Sequence, residues 1–209
     1  VSGDHSHEAI FSPVANIPDA NLLAVVREQM GWANWYHSEL GVYLDRYPAQ
    51  ITQAHMELLT HLWVSYRGIS NLEGIGHAKN LEVLNADDNG ITNPSPLWEL
   101  TNLRELELDW NNKITSIQGI ENLTKLERMD LGGLQLTDIS PLRDLPNLQY
   151  VELEENRLDL SDATVQADLQ YLRGRGVTVE VEPQLPKAVK DLQGEMATLR
   201  DRLATNPND

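Results

Sequence analysis

The chain has 209 residues, 41% hydrophobic and 23% charged, and contains no cysteine. That length and balance fit one substantial folded core, and the absence of thiols excludes disulfides and thiolate metal sites. Lys and Arg number 16 against 32 Asp and Glu, a net charge of -16, which disfavours nucleic acid and anionic membranes and favours basic partners or cations.

In chain order, residues 1–16 read as a flexible terminus. Its "DHSHE" (4–8) puts His5 and His7 together without the surroundings of a built metal site. A helical cap is expected over 17–58. In "IPDANLLAVVREQMG" (17–31), Asp19 can cap a helix, Leu22, Val25, Val26 and Met30 form its apolar stripe, and Gly31 ends it. The insert "WANWYHSELGVYLDRYPAQ" (32–50) crowds Trp32, Trp35, Tyr36, Tyr43 and Tyr47 into a short span, as an enlarged cap core or as an aromatic platform for a sugar or peptide. No run of about 18 apolar residues could span a membrane, and no signal-peptide pattern is present.

Residues 59–160 are periodic. The segments "LEVLNADDNGITNPSPLWELTN" (81–102), "LRELELDWNNKITSIQGIENLTK" (103–125) and "LERMDLGGLQLTDISPLRDLPN" (126–147) align on leucine, with apolar residues at offsets 0, 3, 5, 10, 13, 16 and 19. The second carries one extra residue near Asn111–Lys113. A degenerate unit (59–80) precedes them and a partial one (148–160) follows. This is the leucine-rich repeat pattern, in which each unit supplies one strand and one return segment and stacking buries the leucines. Asn89, Asn111 and Asn156 fall where the chain leaves the sheet, and Leu134 interrupts that series. Beyond the repeats, Ser161 can cap a helix reaching about Arg173, and "VTVEV" (177–181) reads as a final strand, so 161–183 form a strand–helix–strand closure. In 184–209, Leu185, Val189, Leu192, Met196, Leu199 and Leu203 follow a heptad seam. This tail helix would pack on the solenoid, lead to a further domain or support weak self-association.

The 22-residue period, with "NGITNPSPL" and "LQLTDISPL" after the strand, resembles the bacterial internalin-like class of leucine-rich repeats. The resemblance implies a helical N-terminal cap, to which 17–31 and 51–75 are similar, and an extracellular or cell-surface setting. The expected fold is therefore α/β: a leucine-rich repeat solenoid with a parallel concave β-sheet, a cap at each end and a tail helix.

Side chains alternate along a strand, so offsets 2, 4 and 6 face outward and offset 7 lies at the edge. The outward columns hold Glu105, Arg128 and Tyr150; Trp63, Asn85, Glu107, Asp130 and Glu152; Asp87, Asp109 and Glu154; and Tyr66, Asp88 and Trp110. Neighbouring strands stand about 4.8 Å apart, so adjacent carboxylates repel. Carboxylates kept together despite that, beside exposed aromatics, mark these fourteen residues as the candidate partner-binding face. The expected partner is a basic protein, with a glycan or Ca²⁺ as the alternative and a structural spacer in a larger protein as a further reading. "NADDNG" (85–90) begins like a calcium loop, but Pro96 stands where its closing acid belongs. No phosphate loop, catalytic triad, metal-ligand spacing or cofactor motif is recognisable, so no catalytic role, resident metal or cofactor is expected.

Overall fold

The computed structural model describes residues 13–30, 35–37, 42–44 and 50–185. The cap opens with α1 (Ala20–Gln29), whose N-cap is Asp19 and whose Leu22, Val25 and Val26 are buried, as the stripe predicts. Asp19 does more than cap. One carboxylate oxygen accepts from Asn21 and Leu22 N–H, and the other accepts from Ser70 and Asn71 N–H at 2.9 and 3.1 Å. A single side chain thus joins the cap helix to the first repeat.

The cap is less helical than the resemblance implies. The insert forms an antiparallel pair, β1 (Trp35–His37) with β2 (Val42–Leu44); the side chains of 32–49 lie outside the described residues, and with them the choice between core and platform. Beyond the insert, α2 (Gln53–Met56) is one turn, closed by a capping box between Thr52 and His55. The expected flexible stretch is also corrected at its end. Val14 bridges Thr52, Ala15 N–H donates to the Ile51 carbonyl at 2.8 Å, and Ala15 is buried. Gly74 (φ 89°) admits the Asn16 carbonyl so closely that a Cβ there would lie 2.1 Å from it. Residues 1–12 and the tail seam beyond Leu185 lie outside the described residues.

Six strands then pair in parallel and in sequence order: β3 (His61–Trp63), β4 (Val83–Asn85), β5 (Glu105–Glu107), β6 (Arg128–Asp130), β7 (Tyr150–Glu152) and β8 (Thr178–Glu180). Leu62, Leu84, Leu106, Met129 and Val151 share one inward column and are fully buried. The outer edge of β3 is covered by α1, where the Gln29 amide donates to the Trp63 carbonyl at 2.9 Å and accepts its N–H. Such a cover stops an open edge from templating another strand. The return segments use two turn chemistries in alternation. Gly74 and Gly119 (φ 101°) precede the 3-10 turns Ile75–His77 and Ile120–Asn122, whereas Ser-Pro begins Ser95–Glu99 and Ser140–Asp144.

At the C-terminal end, α3 (Ala163–Gly174) packs Val165, Leu169 and Leu172 inward. Its N-cap is Asp162, not Ser161. The Asp162 carboxylate accepts from Thr164 and Val165 N–H, while the Ser161 hydroxyl donates back to Asp159 at 2.6 Å. The carboxylate one position on wins because a charged acceptor suits the partial positive charge of a helix start.

The amide ladder satisfies the backbone where the chain leaves the sheet, a place where buried N–H and C=O groups need partners. Asn111 and Asn156, both fully buried, each donate to carbonyls of their own and the preceding coil and accept the N–H of Ile91 and Leu136. Asn89 does the same for Ile69. In the coil before Leu134 the extra residue lets Ile114 N–H turn back to the Asn111 carbonyl at 2.9 Å, so no asparagine is required there. Gln184 extends the ladder past the repeats, accepting Leu158 N–H and donating to the Leu153 carbonyl at 2.7 Å.

Candidate functional site

The strand register places the outward columns as predicted. Val83, Glu105, Arg128 and Tyr150 lie abreast, as do Trp63, Asn85, Glu107, Asp130 and Glu152. Beyond the strands the ladder continues into the edge column, where the N–H groups of Tyr66, Asp88, Trp110, Gly133 and Glu155 each donate to a carbonyl of the next coil. All five residues are left-handed, with φ between 50° and 64°. Glycine, asparagine and aspartate take this conformation readily, and an aromatic does not. Simple alternation did not anticipate that the edge column would be a backbone turn repeated in every coil.

Two of the acids accept backbone N–H groups of the next coil. Asp87 accepts Asp109 N–H at 2.9 Å, and Asp109 accepts Gly132 N–H at 2.7 Å. Glu107 accepts from the Asn85 amide, and Ser65 donates to that same amide's oxygen. Arg128, the one basic residue among the fourteen, pairs with Asp130 at 2.8 Å and stacks on the Tyr150 ring at 4.0 Å. Tyr150 in turn donates to Glu180 at 2.8 Å. The second oxygen of Asp130 is buried without a hydrogen-bond partner.

The expected lateral row Glu107–Asp130–Glu152 exists, but the tightest convergence is diagonal. Oxygens of Asp109, Asp130 and Glu152 lie within 4.8 Å of one another, the arrangement among the described residues that could hold a metal ion. Gly132 makes room for it, since a Cβ there would come to 2.5 Å from a Glu152 oxygen and 3.5 Å from Asp109. The sequence signal was Gly132 standing in a column otherwise polar or acidic. Burial, with the neighbouring Glu152, Asp87 and Asp130 charges, pushes Asp109 up to about 7 despite the Gly132 N–H. Glu107 and Glu152 are also raised, chiefly by burial and then by nearby carboxylates. Burial likewise raises Asp87.

Apart from Tyr150, the aromatics lie at the β3 end of the face and along its edge. Trp63 is 53% exposed and stacked with His61, ring centroids 5.6 Å apart, and Tyr66 and Trp110 are 77% and 51% exposed. Trp110 rests on Gly133, where a Cβ would meet its ring at 2.8 Å. Asp88, beside the Tyr66 hydroxyl, raises the Tyr66 pKa. Glu105 and Glu154 are on the same face, Glu105 exposed and Glu154 half-buried.

A parallel sheet of one strand per coil, leucines inward and a polar face outward, defines a leucine-rich repeat solenoid. Residues 79–122 match the family model of two leucine-rich repeat copies. Among solved structures, internalin C2 from Listeria monocytogenes is similar at 23% identity with a TM-score of 0.55, over 84% of this chain and 80% of that one. The functional domain of InlJ from the same organism is similar at 24% identity and a TM-score of 0.56, over 75% of this chain and 31% of that one. A leucine-rich repeat protein of Leptospira interrogans is similar at 21% identity and a TM-score of 0.53, over 63% and 33%. No curated protein matches the chain. The fold is that of the bacterial internalin-like leucine-rich repeat domain.

Proposed function

We propose that the chain is a non-catalytic recognition module that binds a basic protein partner through the outward face of β3–β8. The observation that carries this reading is the imbalance of the face: Arg128 is the one cation among its carboxylates, and Asp109, Asp130 and Glu152 converge within 4.8 Å. Holding them together opposes folding, and a partner's lysines and arginines would relieve the repulsion. An extracellular or cell-surface setting accords with the internalin-like fold. No helix among the described residues is long and apolar enough to cross a membrane.

The test is binding of a purified basic protein, such as a histone, measured with rising salt. Affinity is expected to fall with ionic strength, and Glu107→Gln with Asp130→Asn is expected to slow association. Binding that ignores both salt and the double substitution sinks the reading. The diagonal oxygen triad favours a second reading, a calcium-linked surface domain. Millimolar Ca²⁺ would then raise the melting temperature of the native chain and leave Asp109→Asn unmoved.

A further inference from the structure

The edge column offers more than charge. Three of its left-handed positions carry Asp88, Gly133 and Glu155, but Tyr66 (φ 58°) and Trp110 (φ 61°) put large rings where backbone strain works against them. Such strain costs about 1–3 kcal/mol per residue; Tyr66 is largely exposed, and Trp110, packed on Gly133, is about half exposed. The Tyr66 hydroxyl beside Asp88 and the Trp110 ring on Gly133 offset part of that cost, and both residues still present ring surface to solvent.

Their spacing is informative. Tyr66 and Trp110 are two coils apart, with Asp88 on the coil between. Coils about 4.8 Å apart put the two ring-bearing residues about 10 Å from one another. A polyproline-II segment repeats every three residues, about 9.3 Å. Successive prolines of one ridge would meet successive rings, and one of the two intervening residues would turn toward the acidic rows of Asp87 and Asp109. An α-helix on the same track would direct two side chains, i+3 and i+4, at the single intervening coil. Aromatic-lined surfaces suit the preformed polyproline helix because little ordering entropy is lost on binding.

Resting on the basic-partner reading, we propose that the edge formed by Tyr66, Asp88 and Trp110 takes a proline-rich, basic segment in the polyproline-II conformation. The probe is a labelled peptide, Pro-Pro-Arg-Pro-Pro-Arg-Pro-Pro, followed by fluorescence anisotropy with the full chain. A peptide with alanine for every proline keeps the charge and loses the conformation. The native chain is expected to bind the proline peptide more tightly by about tenfold or more. Tyr66→Gly and Trp110→Gly are each expected to weaken that peptide by about tenfold and to leave the alanine peptide unchanged. Glycine suits the left-handed backbone, so these variants stay folded, as circular dichroism would verify. If both peptides bind equally, and only Glu107→Gln with Asp130→Asn weakens them, the basic-partner reading stands and the proline preference is overturned. If neither peptide binds, both fall.

Discussion

At the scale of single residues, the molecule separates positions that the backbone needs from positions that it tolerates. Asn156 belongs to the first kind. Its amide donates to the Leu131 and Leu153 carbonyls at 2.7 and 3.1 Å and accepts Leu136 N–H at 3.0 Å, all in the buried interior. Asn156→Ala strands those groups, each worth about 1–3 kcal/mol when left unpaired, so a loss of roughly 3 kcal/mol or more is expected in urea melts. Exposed Asn112→Ala should stay within about 0.5 kcal/mol. Tyr66 belongs to the second kind. Removing its strained side chain with Tyr66→Gly should move the urea midpoint upward by about 1 kcal/mol of stability. A lower midpoint would show that the ring is held by packing and is not merely presented.

At the scale of elements, the face assignments can be checked on neighbouring strands. Leu131→Ala removes a fully buried leucine and should cost roughly 2–5 kcal/mol. Glu107→Gln, on the outward face among like charges, should be neutral or stabilising. The reverse order in denaturant melts would overturn the strand orientation. Asp19→Ala should exceed an ordinary cap loss of about 1 kcal/mol, because two of its four N–H partners belong to the first repeat. Much of this was legible in the sequence. A leucine period states which side chains point inward, so the strands, their register and the outward columns followed from it. The cap was harder to read. One turn of helix at Gln53–Met56 leaves no periodic stripe, and the Val14–Thr52 bridge joins segments whose pairing no local pattern reports. The left-handed edge column was hidden for a different reason. Its residues are Tyr66, Asp88, Trp110, Gly133 and Glu155, and only Asp88 and Gly133 have chemistry that favours positive φ. The same holds for the diagonal carboxylates, since offsets define rows and columns while side-chain length decides who meets across them.

At the scale of the whole molecule, the acidic face makes stability depend on pH in a definite direction. A carboxyl whose folded pKa lies above its unfolded value takes up a proton more readily in the fold, so acidification favours the folded state. Asp109 is raised from 3.8 to about 7, and Asp87, Glu107 and Glu152 shift the same way. The melting temperature should therefore rise as pH falls from about 8 toward 4. Asp19 opposes this at the acid end. Although burial raises it, its backbone N–H bonds hold it below 3.8. Its contribution is present above that value and is lost as pH falls through its folded pKa. Thermal melts across this range should show a gain that Asp109→Asn diminishes, and a flat profile would mean that the carboxylates are solvated and uncoupled.

The bargain between coils 103–125 and 126–147 bears on how such a protein can lengthen. The first brings an extra residue that lets Ile114 N–H find the Asn111 carbonyl, and the second has Leu134 where its neighbours have asparagine. Neither is a free-standing brick. Copying 126–147 alone would set a coil lacking asparagine after one lacking the extra residue, and Leu136 N–H would face a leucine. Copying 103–147 as a unit returns Asn111 to that place. The heritable module is thus a pair, and engineered arrays should follow it: a chain with the pair duplicated should melt at or above the native temperature, and one with the single coil duplicated should melt below it.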